Sequence, residues 1–239
     1  MMQTLNELIK KNGTPFYLFD EEGFVNNYRK LDDTFKAVYP NYRISYSYKT
    51  NYTPFVCHLV KSLGGYAEVV SDMEYTLAKK LGYDNSQIVY NGPSKGEEMY
   101  EHLENHGILN LDSLDEAKRV VDYCKANADK RYTVGMRINM DLGAANFVSR
   151  FGLEPDSKDM LECVKLIKGT PNLKLIGLHC HISRCRGLDA WAERAKIMLD
   201  MADKYIDDVP QYISLGSGMF ADMADYLRNQ FGGDSVPTY

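Results

Sequence analysis

Lys49 ends a short segment in which two kinds of side chain alternate. Residues 43–49 read Arg-Ile-Ser-Tyr-Ser-Tyr-Lys, and this period of two predicts a strand with Ser45, Ser47 and Lys49 on one face. In a β/α barrel, Lys49 would point inward at the carboxyl end of the strand, where barrel active sites lie. Loss of solvation there would favour the neutral amine, which is the form that does Schiff-base chemistry. A surface lysine at a strand end is the alternative, and this segment alone leaves both open.

Two histidines lie on one face of a second predicted strand. In residues 173–181 the alternation aligns Gly177, His179 and His181, again toward the carboxyl end. A metal centre would need further ligands. The chain has five histidines, and the other three fall in predicted helices, so we predict no metal site. A flat imidazole stacked on an aromatic cofactor and a buried structural histidine both remain open.

A small-residue turn follows the last predicted strand. Gly216, Ser217 and Gly218 close the segment Ile-Ser-Leu-Gly-Ser-Gly, and their backbone N–H groups are open to an anion. Loops after late barrel strands often bind phosphate, although most such turns only reverse the chain. An inward lysine, a stackable histidine and an anion-binding turn are together the parts of a pyridoxal 5'-phosphate (PLP) site.

The elements that position these residues alternate between strand and helix. Apolar periodicity predicts strands near residues 44–49, 66–70, 88–90, 108–111, 132–138, 173–181 and 212–215, and helices over 21–38, 157–168 and 189–205. Three candidate capping boxes, Ser71 to Glu74, Ser94 to Glu97 and Ser113 to Glu116, predict helix starts between them. Helix starts about two dozen residues apart are typical of consecutive βα units.

These elements predict an α/β fold, a (β/α)8 TIM-type barrel, as one domain over residues 1–239. A closed barrel of this type needs eight strands, and seven are recognisable. The stretch after Gly218 gives a loop and a helix near 223–227 but no further strand. We therefore expect the barrel to be incomplete and truncated before its eighth strand.

Composition excludes several classes of protein. The 239 residues carry 28 Lys+Arg against 33 Asp+Glu, a net charge of −5, which argues against nucleic-acid binding. Mean hydropathy is −0.40, and no apolar run approaches membrane-span length. The first seven residues lack the basic and apolar regions that are typical of a signal peptide. The five cysteines are scattered without a CxxC pair, which indicates free thiols in a reducing compartment. We expect a cytoplasmic protein that does not bind membranes.

Several segments, in order along the chain, resemble those of the fold-type III PLP-dependent decarboxylases, most closely the diaminopimelate decarboxylases. They include Thr14–Asp20, Tyr46–Asn51, Ala67–Ser71, Met136–Asn139, Ser149–Leu153, Gly177–Ile182 and Leu215–Gly218. The resemblance runs over nearly the whole chain. It implies a barrel of the alanine racemase-like class and decarboxylation of a basic amino acid.

The resemblance also implies roles for individual residues. Lys49 would hold PLP covalently, His181 would stack on its ring, and Glu68 would lie near the lysine–cofactor linkage. Gly216, Ser217 and Gly218 would bind the phosphate. The family usually has Gly-Ser after His-Ile, whereas this chain has Ser183-Arg184, so we expect the Arg184 guanidinium to contact the phosphate instead of a hydroxyl.

Two segments of the family have no counterpart before Tyr239. One is the eighth-strand Glu-Pro-Gly-Arg, whose glutamate pairs with the pyridinium nitrogen, and the other is a C-terminal β domain that completes the substrate site across a homodimer interface. We therefore expect the isolated chain to be inactive or weakly active. The substrate, whether diaminopimelate, lysine, ornithine or a carboxylated polyamine, is left open.

Three rival classes remain. Single-domain YggS-like PLP-binding proteins, which bind cofactor without strong catalysis, match the length, but their His-Phe-Ile-Gly strand is missing. Alanine racemase is disfavoured because Thr50-Asn51-Tyr52 follow the lysine in place of its Ala-Asn-Ala run. A structural barrel that has lost its chemistry is the third, and the presence of Lys49 and His181 argues against it.

Overall fold

Seven parallel strands form one sheet in which each strand pairs with its neighbours in sequence. A computed structural model describes residues 5–142, 149–182, 185, 187–216 and 225–230. The strands are β1 (Ser45–Ser47), β2 (Tyr66–Val69), β3 (Ile88–Tyr90), β4 (Ile108–Leu111), β5 (Tyr132–Arg137), β6 (Leu173–His179) and β7 (Tyr212–Ser214), ordered β1 to β7. Every pairing is parallel. The α/β class and the seven strands predicted from the sequence are confirmed.

Helices alternate with the strands as βα units require. They are α1 (Leu5–Asn12), α2 (Glu21–Lys36), α3 (Pro54–Ser62), α4 (Asp72–Lys80), α5 (Glu98–Glu104), α6 (Leu114–Ala126), α7 (Lys158–Lys168), α8 (Leu188–Tyr205) and α9 (Asp225–Gln230). The chain divides into two compact units, one up to residue 42 and one from residue 43. The expectation of a single domain over residues 1–239 stays a prediction.

The first unit contains α1 and α2. Asp20 caps α2, because its carboxylate accepts a 2.9 Å hydrogen bond from the Gly23 amide, which satisfies one of the free N–H groups of the first turn. At the other end of α2, the ring of Phe35 stacks on that of Tyr42 with 4.4 Å between centroids. Cap and aromatic contact together fix both ends of this helix.

Two of the three predicted helix caps are confirmed. Ser71 Oγ accepts from the Glu74 amide, and Ser113 Oγ accepts from the Glu116 amide. The prediction that Ser94 caps a helix is wrong, because α5 begins only at Glu98 and has no side-chain cap. The intervening backbone is held elsewhere, since the Gly96 amide donates to Asp72 at 3.1 Å.

The hydrophobic core of the second unit lies between the sheet and its helices. Tyr90 of β3 is fully buried there and stacks on Tyr75 of α4, with 5.7 Å between ring centroids. His102 of α5 packs edge-on against both rings. Such offset and edge-to-face contacts are the favoured aromatic geometries.

The opposite face of the sheet carries small and polar residues. The sheet curls toward this face. Tyr212 of β7 donates a 2.7 Å hydrogen bond to Asn110 of β4, although β5 and β6 lie between those strands. Its ring passes over Gly177, where an added Cβ would lie 2.4 Å from the ring, and its hydroxyl lies 2.0 Å from a Cβ built at Gly135. The two glycines therefore make room for a contact across the curled face.

Candidate functional site

Lys49 and Glu68 meet at the carboxyl ends of the first two strands. Ser47 is in register with Glu68, and the Lys49 Nζ lies 3.9 Å from a Glu68 carboxylate oxygen. The predicted strand is shorter than expected, since β1 ends at Ser47 and Lys49 lies in the turn that follows. The lysine side chain keeps 35% of its area exposed against 10% for the glutamate, so its enclosure is only partial and its amine is accessible.

A buried chain of amides connects Glu68 to the far side of the sheet. Asn91 donates to the Glu68 carboxylate at 3.3 Å, and Asn110 donates to Asn91 at 2.7 Å. Tyr212 completes the chain through its bond to Asn110, and burial raises the pKa of the Tyr212 hydroxyl so that it stays a donor. The chain gives Glu68 a fixed orientation toward Lys49.

His179 is the last residue of β6 and lies two residues beyond Gly177, closer to the carboxyl ends of the strands. It is in register with Arg137 of β5 and Ser214 of β7, and its Nδ1 lies 2.8 Å from the Ser214 hydroxyl. Burial, followed by the nearby charge of Arg137, lowers the pKa of His179 well below its usual range. The ring is therefore neutral at neutral pH. Arg137 itself pairs with Asp112 at 2.8 Å.

A second lysine in the same unit, Lys95, makes only internal structural contacts. Lys95 is buried, and its Nζ donates to both carboxylate oxygens of Glu116, at 2.8 and 2.9 Å, and to the Gly92 carbonyl at 2.6 Å. All three ammonium donors are thus used. Of these two lysines, only Lys49 offers its amine to a ligand.

The predicted phosphate turn begins at a residue that has to be glycine. Gly216 has φ +67°, and a Cβ there would lie 2.5 Å from the Cys180 carbonyl oxygen. A side chain would clash with backbone and be strained in this left-handed conformation. His181 lies two residues beyond β6, which ends at His179, and is half-buried. Arg184, Ser217 and Gly218 lie outside the described residues.

Most of the polar residues on this face are not among the site residues predicted from the sequence. Asn91, Asn110 and Asp112 stand at the carboxyl ends of β3 and β4 in otherwise apolar stretches, which was a detectable signal. Tyr212 was not detectable in this way, because a tyrosine in a strand normally indicates core. Its role depends on glycines in two other strands.

The described part of the chain has no group of three His, Cys, Asp or Glu side chains that could hold a metal ion. Its five cysteines are free thiols. No helix within the described ranges is long and apolar enough to cross a membrane.

The residues present fit pyridoxal phosphate. Lys49 offers an accessible amine beside a carboxylate, and Gly216, two residues beyond β7, has the left-handed backbone conformation of a glycine. In β1 the buried Ser47 hydroxyl has no hydrogen-bond partner among the described residues, and it shares a register position with Glu68. A buried hydroxyl without a partner, level with Glu68, is available to hydrogen-bond a polar ligand. Fold and site together define a PLP-binding β/α barrel.

Comparisons with known proteins identify the family. Residues 26–227 match the model of the pyridoxal-dependent decarboxylase family, pyridoxal binding domain. The chain belongs to this family.

Its relatives are diaminopimelate decarboxylases. The chain is 26% identical to the diaminopimelate decarboxylase of Aquifex aeolicus over 230 residues, 90% of this chain and 53% of the relative. It is 32% identical to that of Bacteroides thetaiotaomicron over 186 residues, 71% of this chain and 45% of the relative. It spans about half the length of the curated relatives that it matches.

The fold agrees with a solved structure of the same kind. The structure of diaminopimelate decarboxylase from Methanocaldococcus jannaschii in complex with L-lysine superposes with a TM-score of 0.76 at 25% identity, covering 91% of this chain and 55% of that one. The seven-stranded parallel sheet therefore has the fold of the corresponding part of that structure, and the matched pyridoxal-binding domain indicates PLP as the cofactor.

Proposed function

We propose that the protein decarboxylates a basic amino acid of the diaminopimelate type, with PLP held on Lys49. The observation that carries this proposal is the accessible Lys49 amine, 3.9 Å from Glu68, at a strand end of a pyridoxal-binding barrel. The relatives that bear the name diaminopimelate decarboxylase support the substrate class. L-lysine, present in the related structure, is what meso-diaminopimelate becomes when one carboxyl group leaves as CO2.

The residues that would hold the cofactor come from three strand ends. Lys49 would bind its aldehyde carbon, His181 would lie against its ring, and the Gly216–Gly218 turn with Arg184 would bind its phosphate. When bound, PLP supplies an electron sink for the pair released as the carboxyl group leaves. The protein contributes binding and orientation of the reacting groups.

Glu68 has a defined task in this arrangement. Its carboxylate is buried, accepts from Asn91 and faces the Lys49 amine. A carboxylate so placed can accept a hydrogen bond from the nitrogen beside it and so orient the lysine side chain. The hydrogen bond from Asn91 goes to Oε1, the same Glu68 oxygen that lies 3.9 Å from the Lys49 amine, and Asn110 holds Asn91 in turn, so the carboxylate stays turned toward Lys49.

Several finer expectations belong to this proposal. We infer that the protein works as a homodimer in the cytoplasm. We also infer that residues 1–239 by themselves bind cofactor but decarboxylate little, as the resemblance implied. YggS-like cofactor binding without strong catalysis is the outcome that would replace the proposal.

The test is CO2 release by the full-length protein loaded with PLP. Meso-diaminopimelate, lysine and ornithine would be offered separately, and the amine products identified by mass spectrometry. We expect release from one of these basic amino acids and its loss in Lys49→Ala, while Lys174→Ala, which alters an exposed lysine paired with Asp208, retains activity. Tight PLP binding without CO2 release from any of the three would overturn the proposal.

A further inference from the structure

Arg194 is completely buried on the inner stripe of α8. Its helical neighbours on that stripe, Met198, Met201, Ala202 and Tyr205, are core residues. A guanidinium among apolar side chains costs several kcal/mol unless its donors are hydrogen-bonded. The contacts of Arg194 therefore indicate why this charge is in the core.

The guanidinium contacts the two loops that the family resemblance assigns to phosphate. Its Nη1 donates to the Leu215 carbonyl at 2.9 Å, directly before Gly216, and its Nη2 lies 3.5 Å from the Cys185 carbonyl, directly after Arg184. Its partners among the described residues are thus backbone carbonyls rather than carboxylates. The Trp191 ring lies 4.3 Å from its Cζ and holds the planar group in place.

The bond to Leu215 fixes the direction of the next amide. The Leu215–Gly216 peptide is trans, and in a trans peptide the C=O and the following N–H point to opposite sides. Because Arg194 holds the Leu215 oxygen toward α8, the Gly216 N–H points away from α8. The positive charge on the carbonyl side also polarises this peptide, which strengthens its N–H as a donor.

Gly216 is held from its other side as well. Its Cα packs so closely on the end of β6 that a Cβ would lie 2.5 Å from the Cys180 carbonyl oxygen and 3.0 Å from the His181 Cα. The peptide between Leu215 and Gly216 is therefore clamped between α8 and the end of β6. A preorganised N–H is the kind of donor that an anion site needs.

We propose that Arg194 is a positioning residue for the cofactor phosphate, which holds the Leu215–Gly216 peptide so that the Gly216 N–H is presented to the phosphate. Arg194 does not itself contact the phosphate. This inference rests on the proposed function, since it assumes that PLP is bound at this turn. It assigns a role to a residue of α8 that belongs to none of the sequence motifs described above.

The test compares PLP with pyridoxal, which has the same ring and aldehyde but no phosphate. Dissociation constants of both are measured for the full-length protein, for Arg194→Met and for Arg194→Lys, and phosphorus NMR reports the environment of the bound phosphate. We expect Arg194→Met to weaken PLP binding by about tenfold while pyridoxal binding stays within about twofold, because only PLP uses the oriented N–H. Arg194→Lys, which keeps the charge and hydrogen-bond donors but not the two-pronged guanidinium, should recover part of the preference. The phosphorus resonance should shift in Arg194→Met.

Each outcome decides the question. Equal losses for PLP and pyridoxal, or no loss for either, would overturn the role of Arg194. Replacement of a buried charge by an apolar side chain of similar volume is often tolerated, and circular dichroism checks the fold. If Arg194→Met does not fold, Arg194→Lys carries the comparison, and failure of both to fold would make the role purely structural and overturn the proposal. Absence of PLP binding by the unaltered protein would instead overturn the proposed function.

Discussion

The Tyr212 hydroxyl donates a 2.7 Å hydrogen bond to the side-chain oxygen of Asn110, which joins β7 to β4 across two intervening strands. The contact exists because β5 and β6 carry Gly135 and Gly177 at the positions beneath the tyrosine ring. Through Asn110 and Asn91, the bond also reaches Glu68. A chain of hydrogen bonds thus connects the packing of the Tyr212 ring to the Glu68 carboxylate beside Lys49.

Gly177→Ala should destabilise the fold by about 1–3 kcal/mol, the usual cost of overpacking. The new Cβ would lie 2.4 Å from the Tyr212 ring, so the ring would have to move. Urea denaturation measures the free energy of unfolding. In a Tyr212→Ala background the same change should cost much less, since the three atoms nearest to the new Cβ all belong to the Tyr212 ring. An equal cost in both backgrounds would contradict this packing.

Gly216→Ala should lower PLP affinity, whereas Gly64→Ala should not. Both glycines have positive φ, +67° and +85°, so each substitution strains the backbone by about 1 kcal/mol. Only at Gly216 would the Cβ meet backbone, while at Gly64 nothing lies within 4 Å. Equilibrium dialysis with PLP, together with thermal unfolding, separates the two effects. Similar PLP affinities in both variants would show that the Gly216 turn does not bind phosphate.

Glu116→Gln should be strongly destabilising, by about 3–5 kcal/mol, because it leaves the buried Lys95 ammonium without its counter-charge. The pair is short, with Lys95 Nζ 2.8 Å from Glu116. The matched control is the double variant Lys95→Met/Glu116→Leu, which removes both charges and should unfold at a denaturant concentration closer to that of the unaltered protein. A double variant less stable than the single one would contradict this account.

The stability of the fold should fall between pH 6.5 and pH 4 in part because of His102. Burial lowers the pKa of His102 to about 4, whereas the unfolded chain has the ordinary value of about 6.5. In this range the unfolded state binds more protons than the folded state, so stability decreases as pH decreases, by up to roughly 3 kcal/mol. His102→Gln should flatten the pH dependence of the unfolding free energy in this range. An unaltered slope in His102→Gln would refute the assignment.

The order of the sheet followed from the sequence because strands of 3–7 residues alternate with helices along the chain. Local patterns identified the helix caps Ser71 and Ser113 and the strand that precedes Lys49. They failed at Ser94, where a tertiary bond from Gly96 to Asp72 overrides the local capping signal. Two features depend on contacts between segments distant in sequence, which no local pattern encodes. They are the hydrogen-bonded chain through Asn91 and Asn110 and the buried guanidinium of Arg194.

The pairing of Lys49 with PLP is tested most directly by reduction of the PLP-treated protein with borohydride, followed by peptide mapping. We expect one modified peptide, carrying the reduced pyridoxyl group on Lys49, and its loss in Lys49→Ala but not in Lys174→Ala. The buried Lys95, with all its donors occupied, should remain unmodified. A label on Lys95, or one spread over surface lysines with Lys49 unmodified, would contradict the account.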